Sequence, residues 1–480
     1  MVRKSQFRKF IGILIVVLVI ASMTSCATSE ATQQPNAPQE ATSPPEAVPT
    51  EKVEVATKEV VEAPTEKIEV VESFDWKKFS GTSIRVYIAD SGEAVFVRPY
   101  LDQFQKETGI KVDFETADAT SYRTNLPVQL LAQSSDFDVM ATFPSVDMLQ
   151  FSANGWYETL DKYITDEKLT NPEFDFSDFP EGVQNANKME GETISIPWEV
   201  QTDLIYYRKD LLEQAGLAVP TTFDEWVDAF QIVHKPPEVY GVALRGTAYQ
   251  MTTPFSSFLY GHCGTWTKDG KANINSNEAM EAFEMYGKWT TFGPPGLINF
   301  DWQVPAQQFQ QGLIFSFLDI NLFVPTLEDP AQSRVAGMVG YAPVPEGPCG
   351  RSPFIGGWGY TINPFSKQKE AAWYFIQWFA SKDMNLNMKI EGWPSPRASA
   401  WSSEEFKQVD PNPQFTQVVL ESLEVANAKM NPPVAPGKEA REIVGIVGTS
   451  VIQGVTGEEL KKVADAQNIE LQRLIDAMIK

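Results

Sequence analysis

Histidine is almost missing: the 480-residue chain has two, His234 and His262. That excludes a multi-histidine metal cage, and none of the three cysteines stands at zinc-finger spacing from another, so no metal and no other cofactor is expected. Positive charge is also scarce. Lys and Arg number 39 against 63 Asp and Glu, a net charge of −24, which argues against nucleic acid as a partner, because phosphate binding needs basic residues. The longest early apolar run, residues 10–21, is short of the roughly 20 residues that span a bilayer. No Ser/His/Asp order, P-loop or nucleophile motif stands out. What is present is ample apolar material, 43% of side chains, enough for two or three globular units at roughly 100 to 200 residues each.

The first 73 residues have a different character from the rest. Arg3, Lys4, Arg8 and Lys9 precede the apolar run, which ends in Ser22-Met23-Thr24-Ser25-Cys26. This is the anatomy of a cleaved signal peptide over 1–25. The small residues before Cys26 resemble a bacterial lipobox, with Met23 where leucine is usual, and imply a lipid-anchored Cys26; simple secretion with an unmodified cysteine is the alternative. Residues 26–73 then turn to Pro, Glu, Thr, Ala and Val, with the near-duplication PTEKVEV (49–55) and PTEKIEV (64–70). Six prolines and few aliphatics cannot offset the entropy of ordering such a segment, so it reads as a disordered tether. Extended it would reach about 150 Å, and as a coil about 35 to 40 Å.

The globular chain opens with a change of hydrophobic period. Ile84, Val86 and Ile88 alternate as in a strand; Val97, Tyr100, Leu101 and Phe104 recur at helical spacing until Gly109; Ile110, Val112 and Phe114 alternate again. Further on, Thr222 and Glu225 form a capping box, 370–380 has the pattern of a helix, and Thr456 with Glu459 caps a last one running towards Met478. Two α/β lobes are the economical assembly.

The succession IRVYIADSGEAV, FQKETGIKVDFE, SSDFDVMATFPSVDMLQFSANGWYETLDKYI, ISIPWEVQTDLIYYRKDLLEQAGLAVPTTFDEW and IGGWGYTINPFSKQKEAAWYFIQWFAS resembles the extracellular solute-binding proteins of bacterial ABC importers, and within them the carbohydrate branch similar to maltose-binding protein. The resemblance runs from about Ser80 to the C-terminus. It implies a type II periplasmic-binding-protein-like fold, with the ligand in a cleft between two lobes joined by three hinge crossings. Lobe one would be 74–197 and 362–396, and lobe two 198–361 and 397–480. The crossings would fall near Ile196-Pro197, Gly359–Thr361 and Trp393–Arg397.

A sugar or polyol offers weakly apolar C–H faces and a rim of hydroxyls, so its site needs flat aromatics and hydrogen-bonding polar groups. Trp198, beside Pro197, and Trp358, between two glycines, are the candidate stacking platforms, with Trp393 a third; ordinary core packing is the alternative for each. Glu199 and Gln201 alternate along the first crossing. Asp319 and Asn321 close the apolar run 313–318, where strand ends face the cleft of an α/β sheet, or else cap a helix. By the same logic Asp90 and Ser91 end the first strand, and Phe143, Ser145 and Asp147 follow the strand around Val139, where the last two are also good N-caps. Arg245 and Arg397 could clamp vicinal hydroxyls or make structural ion pairs. Cys263 and Cys349, left over once Cys26 is assigned to lipid, are a disulfide candidate worth about 4 to 5 kcal/mol in the chain-entropy picture, with two free thiols the alternative.

These features point to a non-enzymatic, monomeric receptor outside the membrane that captures a carbohydrate or polyol and delivers it to an importer permease. A secreted glycoside hydrolase and a sensing module without transport are the competing readings.

Overall fold

The computed structural model describes residues 73–478, apart from Ser91. The signal peptide, Cys26 and nearly all of the tether therefore lie outside the described residues, as does Ser91.

The expected strand, helix and strand are β1 (Ser83–Ala89), α1 (Leu101–Thr108) and β2 (Lys111–Ala117). Gly109 ends α1 at φ 73°, in the left-handed region, and donates its N–H to the Gln105 carbonyl. A Cβ there would sit 2.2 Å from Ser80 Oγ, so both conformation and space demand glycine. The chain continues through α2 (Ala119–Leu131), β3 (Val139–Thr142), α3 (Pro144–Ala153) and β4 (Ile196–Pro197). It then enters a second sheet with β5 (Gln201–Arg208), α4 (Phe223–Val233), β6 (Tyr240–Ala243) and α5 (Ala248–Gly261). α6 (Val304–Gln310), β7 (Ile314–Ile320), β8 (Val339–Pro343) and β9 (Ile355–Gly356) complete that part. The capping box at the start of α4 is fully formed: Thr222 Oγ1 accepts the Glu225 N–H and the Glu225 carboxylate accepts the Thr222 N–H.

β10 (Gly359–Ile362) returns to the first sheet, followed by α7 (Lys369–Phe379) and α8 (Lys382–Ile390). The last long helices are α9 (Pro413–Val425), α10 (Gly437–Ile452) and α11 (Gly457–Met478). The first sheet has the order β2-β1-β3-β10-β4, parallel among its first three strands and antiparallel where β10 joins. The second has the order β8-β5-β7-β6, with β9 also paired to β5. β1, flanked on both edges, is buried on both faces, Tyr87 included, so simple alternation understates its burial. One apolar core surrounds the first sheet and two flank the second.

The chain passes between sheets at 198–200 and again at 357–358. The second passage precedes the expected 359–361, because Gly359–Ile362 is already paired with Val139–Thr142. The third begins near Trp393, but short helices at Ala398–Ser402 and Glu404–Val409 still pack on α8, and α9 is the first element after it to lie on β5 and β8. Lys389 of α8 holds that segment: its ammonium sits 3.8 Å over Trp401 and 4.3 Å over Phe406, and burial lowers its pKa to about 8. Cys263 and Cys349 are joined in a disulfide, with Cα atoms 5.3 Å apart. Among the described residues no helix is long and apolar enough to cross a membrane.

Candidate functional site

The crossings and the sheet ends around them enclose a cavity of 630 Å³, lined from both lobes. Of the residues singled out by sequence, Asp90, Phe143, Trp198, Glu199, Gln201, Arg245, Trp358 and Trp393 line it. Trp198 is buried, its ring centroid 6.2 Å from that of Trp393, and its indole N–H has no partner among the described residues. A buried donor left open in a cavity wall is suited to a ligand oxygen. Trp358 is half-buried. The Arg123 guanidinium lies 4.8 Å over its ring and Phe143 meets it edge-on at 5.3 Å. Gly357, at φ 146°, lets this loop run against the first crossing: a Cβ there would lie 2.3 Å from the Glu199 carbonyl oxygen.

Glu199 is buried and accepts a 2.5 Å hydrogen bond from Gln201 Nε2. Burial pushes its carboxyl up to about 7, against the opposing pull of Gln201 and of the Trp358 N–H. Arg245 is fixed by a bidentate pair with Asp319, Nε to Oδ2 at 2.9 Å and Nη2 to Oδ1, while Nη1 reaches Gln250 at 3.4 Å. Burial works against the Arg245 charge, but the Asp319 carboxylate outweighs it and holds the pKa above its ordinary value. Behind them Asp203 accepts from Ser257 Oγ, and its other oxygen has no partner among the described residues. Burial first, and then the neighbouring Asp319 carboxylate, push its carboxyl well up.

Five sequence candidates do not line the cavity. Asp319 is spent on Arg245. Asn321 braces the first crossing, accepting from the Thr202 N–H at 3.3 Å and donating to the Val200 carbonyl at 3.2 Å. Asp147 lies inside α3, whose N-cap is Phe143 rather than Ser145 or Asp147; its carboxylate accepts the Phe143 N–H at 2.8 Å and pairs with Arg123 at 3.4 Å, and burial raises its pKa despite that arginine. Ser145 lines a separate small cavity beside Gly356 and Gly357. Arg397 is entirely buried: it donates to the carbonyls of Ala380, Asp175 and Phe174, pairs with Asp178 at 3.2 Å and stacks 4.1 Å from the Phe179 ring. It is a structural ion pair.

Sequence reasoning missed Arg123, Tyr249, Gln250, Thr253, Trp302 and Arg441, together with a polar stripe, Gln303, Gln307 and Gln310. The stripe was detectable, because those glutamines recur at helical spacing from the N-cap Gln303 through α6 and share one face. Among the described residues no cluster of three His, Cys, Asp or Glu could hold a metal.

Two α/β lobes, three crossings and an aromatic, polar cavity between the lobes define a type II periplasmic-binding-protein fold. The sequence profile of bacterial extracellular solute-binding proteins matches residues 89–385, and the chain belongs to that family, whose members are exported binding proteins rather than enzymes. It is 26% identical over 349 residues to an erythritol/L-threitol-binding protein of Mycolicibacterium smegmatis, covering 69% of this chain and 73% of the relative. A mannitol-binding protein of Pseudomonas aeruginosa is 25% identical over 314 residues, covering 63% and 69%. Among solved structures, an ABC transporter solute-binding protein of Agrobacterium radiobacter K84 in complex with ribitol superimposes with a TM-score of 0.73 at 25% identity, covering 82% of this chain and 99% of that one. Maltose-bound MalE3 of T. maritima gives 0.70 at 22% identity, covering 82% and 100%, a likeness of fold.

Proposed function

We propose that the protein is the receptor of an ABC importer for a sugar or polyol, closing its lobes on the ligand and delivering it to a permease. The observation that carries this reading is the cavity wall: Trp198, Trp358 and Trp393 stand beside Glu199, Gln201 and the glutamines of α6, the mixture of flat apolar faces and hydrogen-bonding groups that a polyhydroxylated ligand needs. The erythritol/L-threitol, mannitol and ribitol ligands of the relatives support the same class. In this reading the moving bodies are roughly 74–197 with 359–409, and 201–356 with 410–478, and the ligand contacts are Asp90, Phe143, Trp198, Glu199, Gln201, Arg245, Trp358 and Trp393. Lipid on Cys26 and the proline-rich segment that follows it would keep the receptor at the outer face of the membrane.

A thermal-shift screen of polyols, mono- and oligosaccharides, amino acids and polyamines tests the class. Binding to the native state raises apparent stability by mass action, so a polyol or sugar should shift the transition by several degrees and be recovered intact. A shift with amino acids or polyamines alone would overturn the proposal.

A further inference from the structure

We infer that the solute carries an anionic group, a carboxylate or phosphate on a sugar or polyol, and that Arg441 receives it; this rests on the sugar-or-polyol reading above. Three arginines line the cavity from three elements: Arg123 from α2, Arg245 from the segment after β6, and Arg441 from α10. In a chain with net charge −24, such a convergence is local and specific.

The three differ in what neutralises them. Arg123 has Asp147 and Arg245 has Asp319. Arg441 is buried and has no carboxylate within ion-pair distance among the described residues. Its Nε donates to the Tyr249 carbonyl at 2.8 Å, its Nη2 to Thr253 Oγ1 at 2.9 Å, and its guanidinium lies 4.3 Å over the Tyr249 ring. All of these partners are neutral, and Nη1 has no acceptor among the described residues. Burial, together with repulsion from Arg245 and Arg123, lowers its pKa to about 10, which leaves it protonated at neutral pH.

A desolvated, unpaired and mutually repelled cation is unfavourable unless an anion completes it. The other lining charges do not supply one. Asp90 sits on the exposed rim, and the Glu199 carboxyl, raised to about 7, is about half protonated at pH 7 and largely protonated below it; neither makes an ion pair with Arg441. Tyr249 and Gln250 lie in the first turn of the 14-residue α5, so the positive end of that helix dipole meets the same wall. A planar guanidinium with open donors suits a carboxylate or phosphate.

Calorimetric titration of the purified full chain with matched pairs tests this: ribitol against ribonate and ribitol 5-phosphate, and mannitol against mannonate and mannitol 1-phosphate. At least one anion should bind about tenfold to a hundredfold more tightly than its neutral parent, the range of one charge-assisted contact, and should weaken as salt is raised. Arg441→Gln should abolish the preference and Arg441→Lys keep part of it, with circular dichroism melts checking that both variants fold. If the glutamine variant does not fold, the wild-type ratio and its salt dependence decide. Neutral parents binding as tightly as their anions, or a preference that survives Arg441→Gln, would overturn the inference while leaving the polyol reading intact. Binding by no sugar or polyol, charged or neutral, would overturn the polyol reading itself.

Discussion

Replacing Glu199 with glutamine should change stability in a pH-dependent way whose sign follows from burial. The folded state holds the Glu199 proton up to about pH 7, whereas an unfolded chain releases it near the usual 4.5. Between those values the folded state binds more protons than the unfolded one, so this group's contribution falls as pH rises and is fully unfavourable above 7. The displacement corresponds to about 3 kcal/mol. Glutamine keeps an acceptor oxygen for Gln201 Nε2 but presents one acceptor where the carboxylate had two, a constant loss of about 1 kcal/mol. The variant should therefore be about 1 kcal/mol less stable than wild type at pH 4.5 and about 2 kcal/mol more stable at pH 8. Urea unfolding followed by tryptophan fluorescence at pH 4.5, 6, 7 and 8 measures the difference directly, and taking it between two proteins cancels Asp203, whose carboxyl is also raised. A difference that stays flat across this range would refute the claim that Glu199 is desolvated at the hinge.

Trp358→Ala should weaken ligand binding by about 2 kcal/mol or more, as loss of a tryptophan contact does at well-packed sites, while the half-buried position leaves the fold intact; calorimetry and a thermal melt read the two effects separately. Arg397→Ala should cost about 3 to 5 kcal/mol in urea unfolding by removing the buried cation paired with Asp178 and the guanidinium donor to three carbonyls, and ligand affinity measured below the transition should be unchanged. Replacing Cys263 and Cys349 together with serine should lower stability by about 4 to 5 kcal/mol for their separation of 86 residues, and dithiothreitol should reproduce the loss in wild type only.

The elements most legible in the sequence were those whose signal is local. The Thr222–Glu225 box, the Gly109 helix end and the opening strand, helix and strand each depend on residues a few positions apart. The first crossing was legible because Pro197 and Trp198 mark it. The cysteine pair was left open, since pairing depends on where residues 86 apart meet in space. The site was legible only in its crossings. For Arg397 the sequence left a hydroxyl clamp and a structural ion pair open, because its fate is set by carbonyls at 174, 175 and 380 that no local pattern reveals. Arg441 has the opposite history. It sits in a helix whose charges look like a solvated face, and only the packing of α10 on α5 turns it into the cavity.

The first crossing is hydrogen-bonded to both of the others. The Trp198 and Glu199 N–H groups both donate to the Trp358 carbonyl, at 2.9 and 3.4 Å, and the Val200 N–H donates to the Pro394 carbonyl at 3.0 Å. Gly357 lets the first two run backbone against backbone. If the lobes close on a ligand as proposed, these hydrogen-bonded segments would act as one axle, and a torque on one would be carried to the others. Trp198, Glu199, Trp358 and Trp393 project from that axle into the cavity. A ligand in the cavity would therefore press on the pivot itself, coupling occupancy to lobe angle without a relay through the lobes.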